Sequence, residues 1–539
     1  MTTHPATDRT DLPDMRVPPL TRADWLLTAG VLVIALAWCW WTSRGAVSVT
    51  YDSFRDMAWS RAMLLGRWWQ DPVLAGEPPW YPPGGPWLTA VICRLTGADV
   101  ATVQTASALW WNALIPPAVF LVVRTTLDRA TAVVSIPCLV LGSLWWMTHL
   151  AAPMPSIQGL LPQLIAIALF VGATRSRRWW FPAGGAGLTL GATFWVHPLC
   201  AAMGAVAVVG LGVSWMLRRS SNESRTPIAA VALAGAVALL TSWPALALQL
   251  GLERLNTVPM RYTAPELFNP DFALQWHAPL LLPLAALGLW CLWRRPAAGW
   301  VLPILALGLA GQLPVIVEAL GLGSPLRLLP HEFQWHTQVA TAVLAACGIT
   351  AVAALVAGRL RRLQVPDVAW SALIAIAVLS SSLWFVPLAG SYQVDLGEFE
   401  RRRGPLAEWI RRAVPPDAVF AADPHHCLLT VAGLTGRRCV AVPPGFMNPS
   451  VAPGHREAVL TTILTTKDDE TFLAAMHTAG ATHLLVIVDA PGSAALARRA
   501  ASSPSLRLGF SSADGRQLVF QVPSEPPQNR HPRTQMFYN

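Results

Sequence analysis

Long apolar runs separated by short polar turns fill the first three quarters of the chain. A helix crossing a hydrocarbon core of about 30 Å needs about 20 apolar residues. Runs of this kind fall at 25–42, 101–123, 130–147, 158–174, 182–197, 198–217, 227–249, 278–293, 299–317, 337–357 and 368–388. The pattern predicts a polytopic α-helical membrane protein with about eleven transmembrane helices, the tightest turn lying at His197-Pro198. From about Tyr392 the pattern becomes that of a soluble domain. "PLAEWIRRAV" reads as a helix, "AVFAA" and "CVAV" as strands, and "THLLVIV" as a buried strand. "DDETFLAAMHTAG" reads as a helix with Asp468 as N-cap and Gly480 near its stop, and "GSAALARRAA" as a further helix. Helices alternating with strands predict a small α/β domain over 391–523, followed by a disordered tail at 524–539.

The arginines give this arrangement a direction. Arg9, Arg16 and Arg22 precede the first run, and the turns at Arg124–Arg129, Arg175–Arg178, Arg218–Arg225, Arg294-Arg295 and Arg359–Arg362 are short and arginine-bearing. Cationic turns are retained in the cytoplasm. Eleven crossings with the N-terminus inside place every one of these turns there and the α/β domain outside. The expected setting is the plasma (inner) membrane, with 1–24 a cytoplasmic segment and 25–390 the membrane domain. The run Trp25–Trp41 reads as a retained anchor rather than a cleaved signal.

Three outer segments, 43–100, 251–277 and 318–336, are then too long to be plain connectors. Their tryptophans and prolines predict ordered loops seated at the membrane interface.

Composition supports the membrane reading. Hydrophobic residues make up 53% and charged residues 13%, against about a quarter charged in soluble proteins. The net charge of +9 is spread over short turns rather than gathered on one face, which argues against a nucleic-acid partner. Six of the eight cysteines lie in or beside apolar runs as small core residues. Cys427 and Cys439 fall in the outer domain, where an oxidising compartment permits a disulfide. Their separation does not demand one, and two buried thiols fit equally.

The first outer loop carries candidate chemistry. In "VTYDSFRDMAWSRAMLLGRWW", Asp52 and Asp56 are four residues apart and Arg55 three from Asp52, so one helix face holds all three. Phe54, Met57, Trp59, Met63 and Leu64 predict an amphipathic helix lying in the interface, its acids over the membrane domain. Moving a sugar from a phospholipid carrier to a hydroxyl needs a carboxylate to take the acceptor proton and cations to neutralise the departing phosphate. It also needs an apolar groove for the carrier chain. The alternative is a set of ion pairs that only fixes the loop.

An acid just after the first span, "AMLLGRW", and the turn Trp80-Tyr81-Pro82-Pro83 together resemble the GT-C superfamily of polyprenyl-phosphate-dependent glycosyltransferases. In that superfamily the loop carries the catalytic acid, often as an Asp-Glu pair, and a later "Y-x-K-P-P" turn. Asp52 matches the first acid, Ser53 replaces the second, and the Tyr81 turn lacks the lysine. "PLRLLPHEFQWHTQ" is similar to the "R-Y-L-L-P" stretch of related transferases, with Arg327 matching its arginine and Leu328 replacing its tyrosine. The resemblance implies a polyprenyl-phosphate-linked sugar as donor and a glycan, lipid or protein as acceptor, at the outer face of the membrane. It implies Asp52 as base, Asp56, Arg55 and Tyr81 in the same pocket, and Arg327 or Arg261 on the leaving phosphate. Oligosaccharyltransferase subunits need a second acidic motif in the next outer turn and a "WWDYG" signature. "HLAAPMPSIQ" has no acid and the signature is absent, which argues against en bloc transfer to asparagine; arabinofuranosyl- and mannosyl-type transfer stay open.

The remaining constellations are weaker. "HEFQWH" has His331 and His336 five apart, the wrong spacing for a zinc protease helix; His331 and Glu332 are expected at the outer substrate cleft, the alternative being a solvated loop. His197 faces either a cavity or its own helix turn, and His149 carries less signal. "DPHHC", Asp423–Cys427, joins Cys439 as a weak metal candidate. No cofactor is indicated by the residues themselves, and a divalent metal on Asp52 and Asp56 is left open. A flippase of a lipid-linked precursor, or a non-catalytic envelope scaffold, is the competing function. A flippase predicts charge near mid-membrane, whereas the charge here collects in outer loops.

Overall fold

All eleven apolar runs contain helix in the computed structural model, which describes residues 19–42, 48–49, 51–217, 225–254, 281–293, 295, 297–311, 330–359, 367–380, 394–443, 446–447, 453–489 and 491–522. Six helical stretches among these are long and apolar enough to cross a membrane: Arg22–Thr42, Val100–Thr126, Pro155–Arg175, Pro198–Leu217, Thr226–Gly251 and Glu332–Arg359. The other five runs form shorter helices within the described residues, at Arg129–Val140, Trp180–Val196, Leu281–Leu292, Ala298–Ala310 and Asp367–Ser380.

Two runs are less regular than their hydropathy suggests, each for a local reason. The run over 101–123 is interrupted by a 3-10 turn at Asn112–Leu114, because Pro116 and Pro117 at the start of the next helix have no N–H to continue the ladder. The Asn112 amide uses the gap, donating to the carbonyls of Leu150 (3.0 Å) and Ala152 (2.7 Å). The run over 130–147 is two helices, Arg129–Val140 and Leu144–His149, since Ser143 turns its hydroxyl onto the Trp146 N–H and caps the second.

Trp146, Trp300, Trp335, Phe120 and Phe170 fill the middle of the bundle and are fully buried. Leu26, Ile34, Leu240 and Trp290 stand exposed on its outside, as a surface solvated by lipid requires. Helices Leu281–Leu292 and Pro330–Arg359 cross backbone to backbone. A Cβ on Gly288 would lie 1.7 Å from the Leu344 carbonyl oxygen, and one on Gly348 would lie 2.0 Å from that of Leu284. At the arginine-rich end, buried Asp24 accepts from Arg124 Nε (2.9 Å) and Arg129 Nε (2.7 Å), tying the first helix to the end of Ile115–Thr126 and the start of Arg129–Val140.

The C-terminal α/β domain is built on a five-stranded sheet in which Arg438–Cys439, Val419–Ala421, His483–Ile487, Gln517–Gln521 and Arg507–Ser511 lie side by side in that order. The strands are β3 (Val419–Ala421), β4 (Arg438–Cys439), β5 (His483–Ile487), β6 (Arg507–Ser511) and β7 (Gln517–Gln521). Strand β3 runs parallel to β4 and β5, while β7 is antiparallel to β5 and β6. β5 is buried at every position, as its unbroken apolar run predicts. Asp468 caps Asp469–Thr478 by accepting from the Thr471 N–H, and Gly480 ends that segment with φ +63. The hairpin β6–β7 and the helix Pro453–Thr465 were not expected from the sequence. Phe420, Phe472 and Phe520 form the centre of this core. A second small sheet pairs β1 (Ser48–Val49) with β2 (Val394–Asp395), joining the start of the first loop to the start of the domain.

One expectation is corrected. The helix Tyr51–Leu64 does not lie in the interface with one face to lipid: every residue from Ser53 to Ser60 is buried. Phe54 and Met57 pack with Val100, Leu396, Leu429 and Leu434. A Cβ on Gly433 would lie 2.7 Å from the Phe54 ring. The helix is wedged between the C-terminal domain and the helices Gly84–Thr96 and Val100–Trp110. The rest of the loop is stitched to the sheet: Cys439 N–H donates to the Val73 carbonyl (2.7 Å), and Leu74 bridges Cys439 in parallel.

Candidate active site

Because the loop helix is enclosed, its charged face points into a protein-lined cleft. Asp52 sits in the first helical turn, where the exposed N–H groups favour a negative charge. Arg55 lies between the two acids. Its Nη1 is 3.1 Å from Asp52 Oδ1, and its Nε and Nη2 donate to Asp56 Oδ1 at 3.2 and 3.1 Å. The guanidinium also stacks on the Tyr81 ring, 4.2 Å from its centroid. The two carboxylates differ in setting. Asp52 has 32% of its side chain exposed, Asp56 only 1%. Asp56 Oδ2 is buried and has no hydrogen-bond partner among the described residues.

Burial pushes the Asp56 carboxyl up to about 7, with Arg55 pulling down and Asp52 adding to the rise. Burial opposes the charge of Arg55, but Asp56 and Asp52 outweigh it and keep the guanidinium protonated. Burial likewise holds the Tyr81 phenol well above its ordinary value. A pH prediction follows from Asp56. Its pKa is higher folded than unfolded, so the folded state keeps the proton over the range between. This group's contribution to stability is therefore full below about pH 4 and lost as pH rises through about 7. Asp56→Asn, which imitates the neutral acid, should gain thermal stability relative to the parent on going from pH 5 to pH 8. An unchanged difference in unfolding temperature across that range would contradict the assignment.

Beyond Tyr81 lies a second group that the sequence did not join to the first. The His197 ring is 6.3 Å from the Tyr81 ring between centroids. Its Nε2 is 3.5 Å from Glu332 Oε1 and its Nδ1 3.5 Å from Cys200 Sγ. The Cys200 thiol donates to the Ser156 carbonyl (3.3 Å) and lies 3.7 Å from His336 Nε2. His197 is placed by the break between two helices, where it takes an extended conformation (φ -157, ψ 115) before Pro198.

The structure thus brings together Asp52, Arg55, Asp56, Tyr81 and Glu332, and adds His197. Arg261 and Arg327 lie outside the described residues, as does the His331 side chain. His336 is turned into the bundle and buried, and His149 is buried against Trp335 (5.8 Å between rings). In the Asp423–Cys427 stretch, Asp423 caps the N–H groups of His425 and His426, and His426 Nε2 is hydrogen-bonded to Asp489 Oδ2 at 2.8 Å. Cys427 and Cys439 are buried free thiols, with Cys439 donating to the Cys427 carbonyl at 3.4 Å. Among the described residues no group of three or more His, Cys, Asp or Glu side chains is placed to hold a metal ion. Asp52 and Asp56 do not fit a divalent ion as arranged, since the Arg55 cation already occupies the position between them.

The segments that carry this polar cluster also wall an apolar cavity of about 520 Å³, lined by Met63, Trp68, Trp87, Leu88, Trp111 and Trp195. Site and cavity share their supports. Pro83 and Gly84 of its lining come two and three residues after Tyr81, and Trp195 and Val196 precede His197. The two turns are in tight contact, for a Cβ on Gly84 would lie 2.5 Å from the Trp195 carbonyl.

No family model and no curated protein matches the sequence. Solved structures do match the fold. The Archaeoglobus fulgidus oligosaccharyltransferase in its apo form is 13% identical over 93% of this chain and 75% of its own, with a TM-score of 0.58. ArnT from Cupriavidus metallidurans, bound to undecaprenyl phosphate, is 15% identical over 94% of this chain and 100% of its own, with a TM-score of 0.55. The mycobacterial arabinofuranosyltransferase AftD is 14% identical over 94% of this chain and 40% of its own, with a TM-score of 0.60.

Proposed function

We propose that this chain, which has the fold of the GT-C glycosyltransferases, moves a sugar from a polyprenyl-phosphate carrier to an acceptor hydroxyl at the outer face of the cell membrane. The observation that carries this reading is the cluster of Asp52, Arg55, Asp56, Tyr81, His197 and Glu332 beside an aromatic-walled apolar cavity. A water-soluble substrate has no use for such a cavity, whereas an isoprenoid chain fills it and brings its phosphate to the polar rim.

The roles divide by exposure and charge. Asp52 is the carboxylate open to an incoming acceptor, so it takes the acceptor proton as the sugar–phosphate bond breaks. Asp56 fixes Arg55 through one oxygen and offers the other to a sugar hydroxyl. Tyr81 holds the guanidinium from above. The family resemblance gives the leaving phosphate to Arg327, with Arg261 as the second candidate. Atoms balance simply: the anomeric carbon exchanges its phosphate oxygen for the acceptor oxygen, and polyprenyl phosphate departs.

The test is to incubate the purified protein with a panel of polyprenyl-phosphate sugars, including pentose and hexose donors. Release of polyprenyl phosphate from one donor, increased by acceptor, is the expected result. Turnover of none of them, by protein that remains folded, would overturn the reading.

A further inference from the structure

Next to Asp52, on the side of the outer domain, is an open aromatic surface that the proposed chemistry leaves unused. Tyr51, the first residue of the loop helix, is 37% exposed. Its ring is stacked on Phe446 with centroids 5.9 Å apart and planes 27° from parallel. The exposed ring of His425 meets it edge-on at 5.7 Å and 72°. Tyr51 belongs to the first loop, and Phe446 and His425 to the outer domain, so the surface exists only where the two are joined. Its surroundings are polar: Asp52 is the next residue in the chain, and Asp489, with half its side chain exposed, is hydrogen-bonded to His426 beside His425.

We infer that Tyr51, Phe446 and His425 form a platform for a sugar ring of the acceptor, which makes the acceptor a glycan. A sugar ring has an apolar C–H face and a rim of hydroxyls. Aromatic faces bind the first through contact and weak C–H interactions, and carboxylates accept from the second. An acyl or isoprenoid chain would require a continuous apolar trough, which carboxylates beside the rings interrupt. The inference rests on the glycosyltransferase reading for its meaning, because it places the acceptor one residue from the proposed base.

Saturation-transfer NMR on the whole protein in detergent tests the platform without any donor. The probes are methyl α-D-mannopyranoside, methyl β-D-galactopyranoside and methyl α-D-arabinofuranoside. At least one is expected to receive saturation through its ring C–H protons. Tyr51→Ala with Phe446→Ala should weaken that binding about tenfold, while Tyr51→Phe should preserve it and certify that the loop helix is intact. Absence of a signal from all three glycosides, or an undiminished signal in the double alanine variant, would overturn the platform. Donor turnover measured on the same preparation separates the two ideas: turnover without glycoside binding removes the platform and leaves the transfer reaction standing.

Discussion

Asp52→Asn is expected to reduce sugar transfer by about a thousandfold while the protein folds and inserts as before. General-base catalysis contributes roughly 10²–10⁴ in rate, and asparagine keeps the shape and loses the proton acceptor. The fold should tolerate the change for a geometric reason. Arg55 remains held by Asp56 through two hydrogen bonds and by the Tyr81 ring, so no buried charge is left without a partner. The lost contact joins the buried Arg55 to a carboxylate with 32% of its side chain exposed, at 3.1 Å, and asparagine keeps an oxygen there to accept from the guanidinium. The measurements are transfer from the donor identified in the panel and the thermal unfolding temperature in detergent. A variant that transfers at the parental rate would refute the role given to Asp52. Asp56→Asn sharpens the comparison, since it should alter the pH dependence of stability without removing the proposed base.

The second large effect concerns how the loop is held. Arg456 donates to Glu77 Oε1 (2.7 and 3.2 Å), to the Val440 carbonyl (3.2 Å) and to the Ala75 carbonyl (2.8 Å). Glu77 has only 9% of its side chain exposed, so losing the arginine strands a largely buried carboxylate. Breaking a fully buried pair costs about 3–5 kcal/mol; with Arg456 21% exposed, Arg456→Met should cost about 2–4 kcal/mol. The damage should reach the site, because Tyr81 lies four residues beyond Glu77. A displacement of about 1 Å can lower rate by about a hundredfold. The expected result is slower transfer together with faster proteolysis within residues 65–84. Normal proteolytic resistance and normal transfer would show that the loop is held by other contacts. Glu77→Gln should recover much of the loss in the Arg456→Met background, since it removes the stranded charge.

The helical runs were legible in the sequence because hydropathy and arginine placement are local quantities. Strands β3 and β5 and the Asp468 cap were legible for the same reason. The β6–β7 hairpin was not: β6, Arg507–Ser511, is mostly exposed and offers no alternation to read. The surroundings of the loop helix were misjudged because its partner, the turn of π-helix at Cys427–Gly433, enters the chain more than 360 residues later. Phe54 and Met57 looked like residues seeking lipid, and Leu429 and Leu434, with Gly433 against the Phe54 ring, supplied the surface that covers them. Within the site, the i, i+3 and i, i+4 spacing put Asp52, Arg55 and Asp56 together, and a resemblance added Tyr81. No local signal joined Cys200 to His336 across 136 positions, or His197 to Glu332. An ionisable side chain at the junction of two apolar runs was the one available clue.

The bridge between Leu74 and Cys439 governs how this protein can be recombined. The edge of the sheet beside β4 is met by the strip at Val73 and Leu74, so residues 394–522 alone would carry an open edge ready to pair with a stranger. A hybrid that exchanges only the C-terminal portion with another GT-C-fold protein should therefore clump. A graft carrying 43–100 along with it should stay monodisperse.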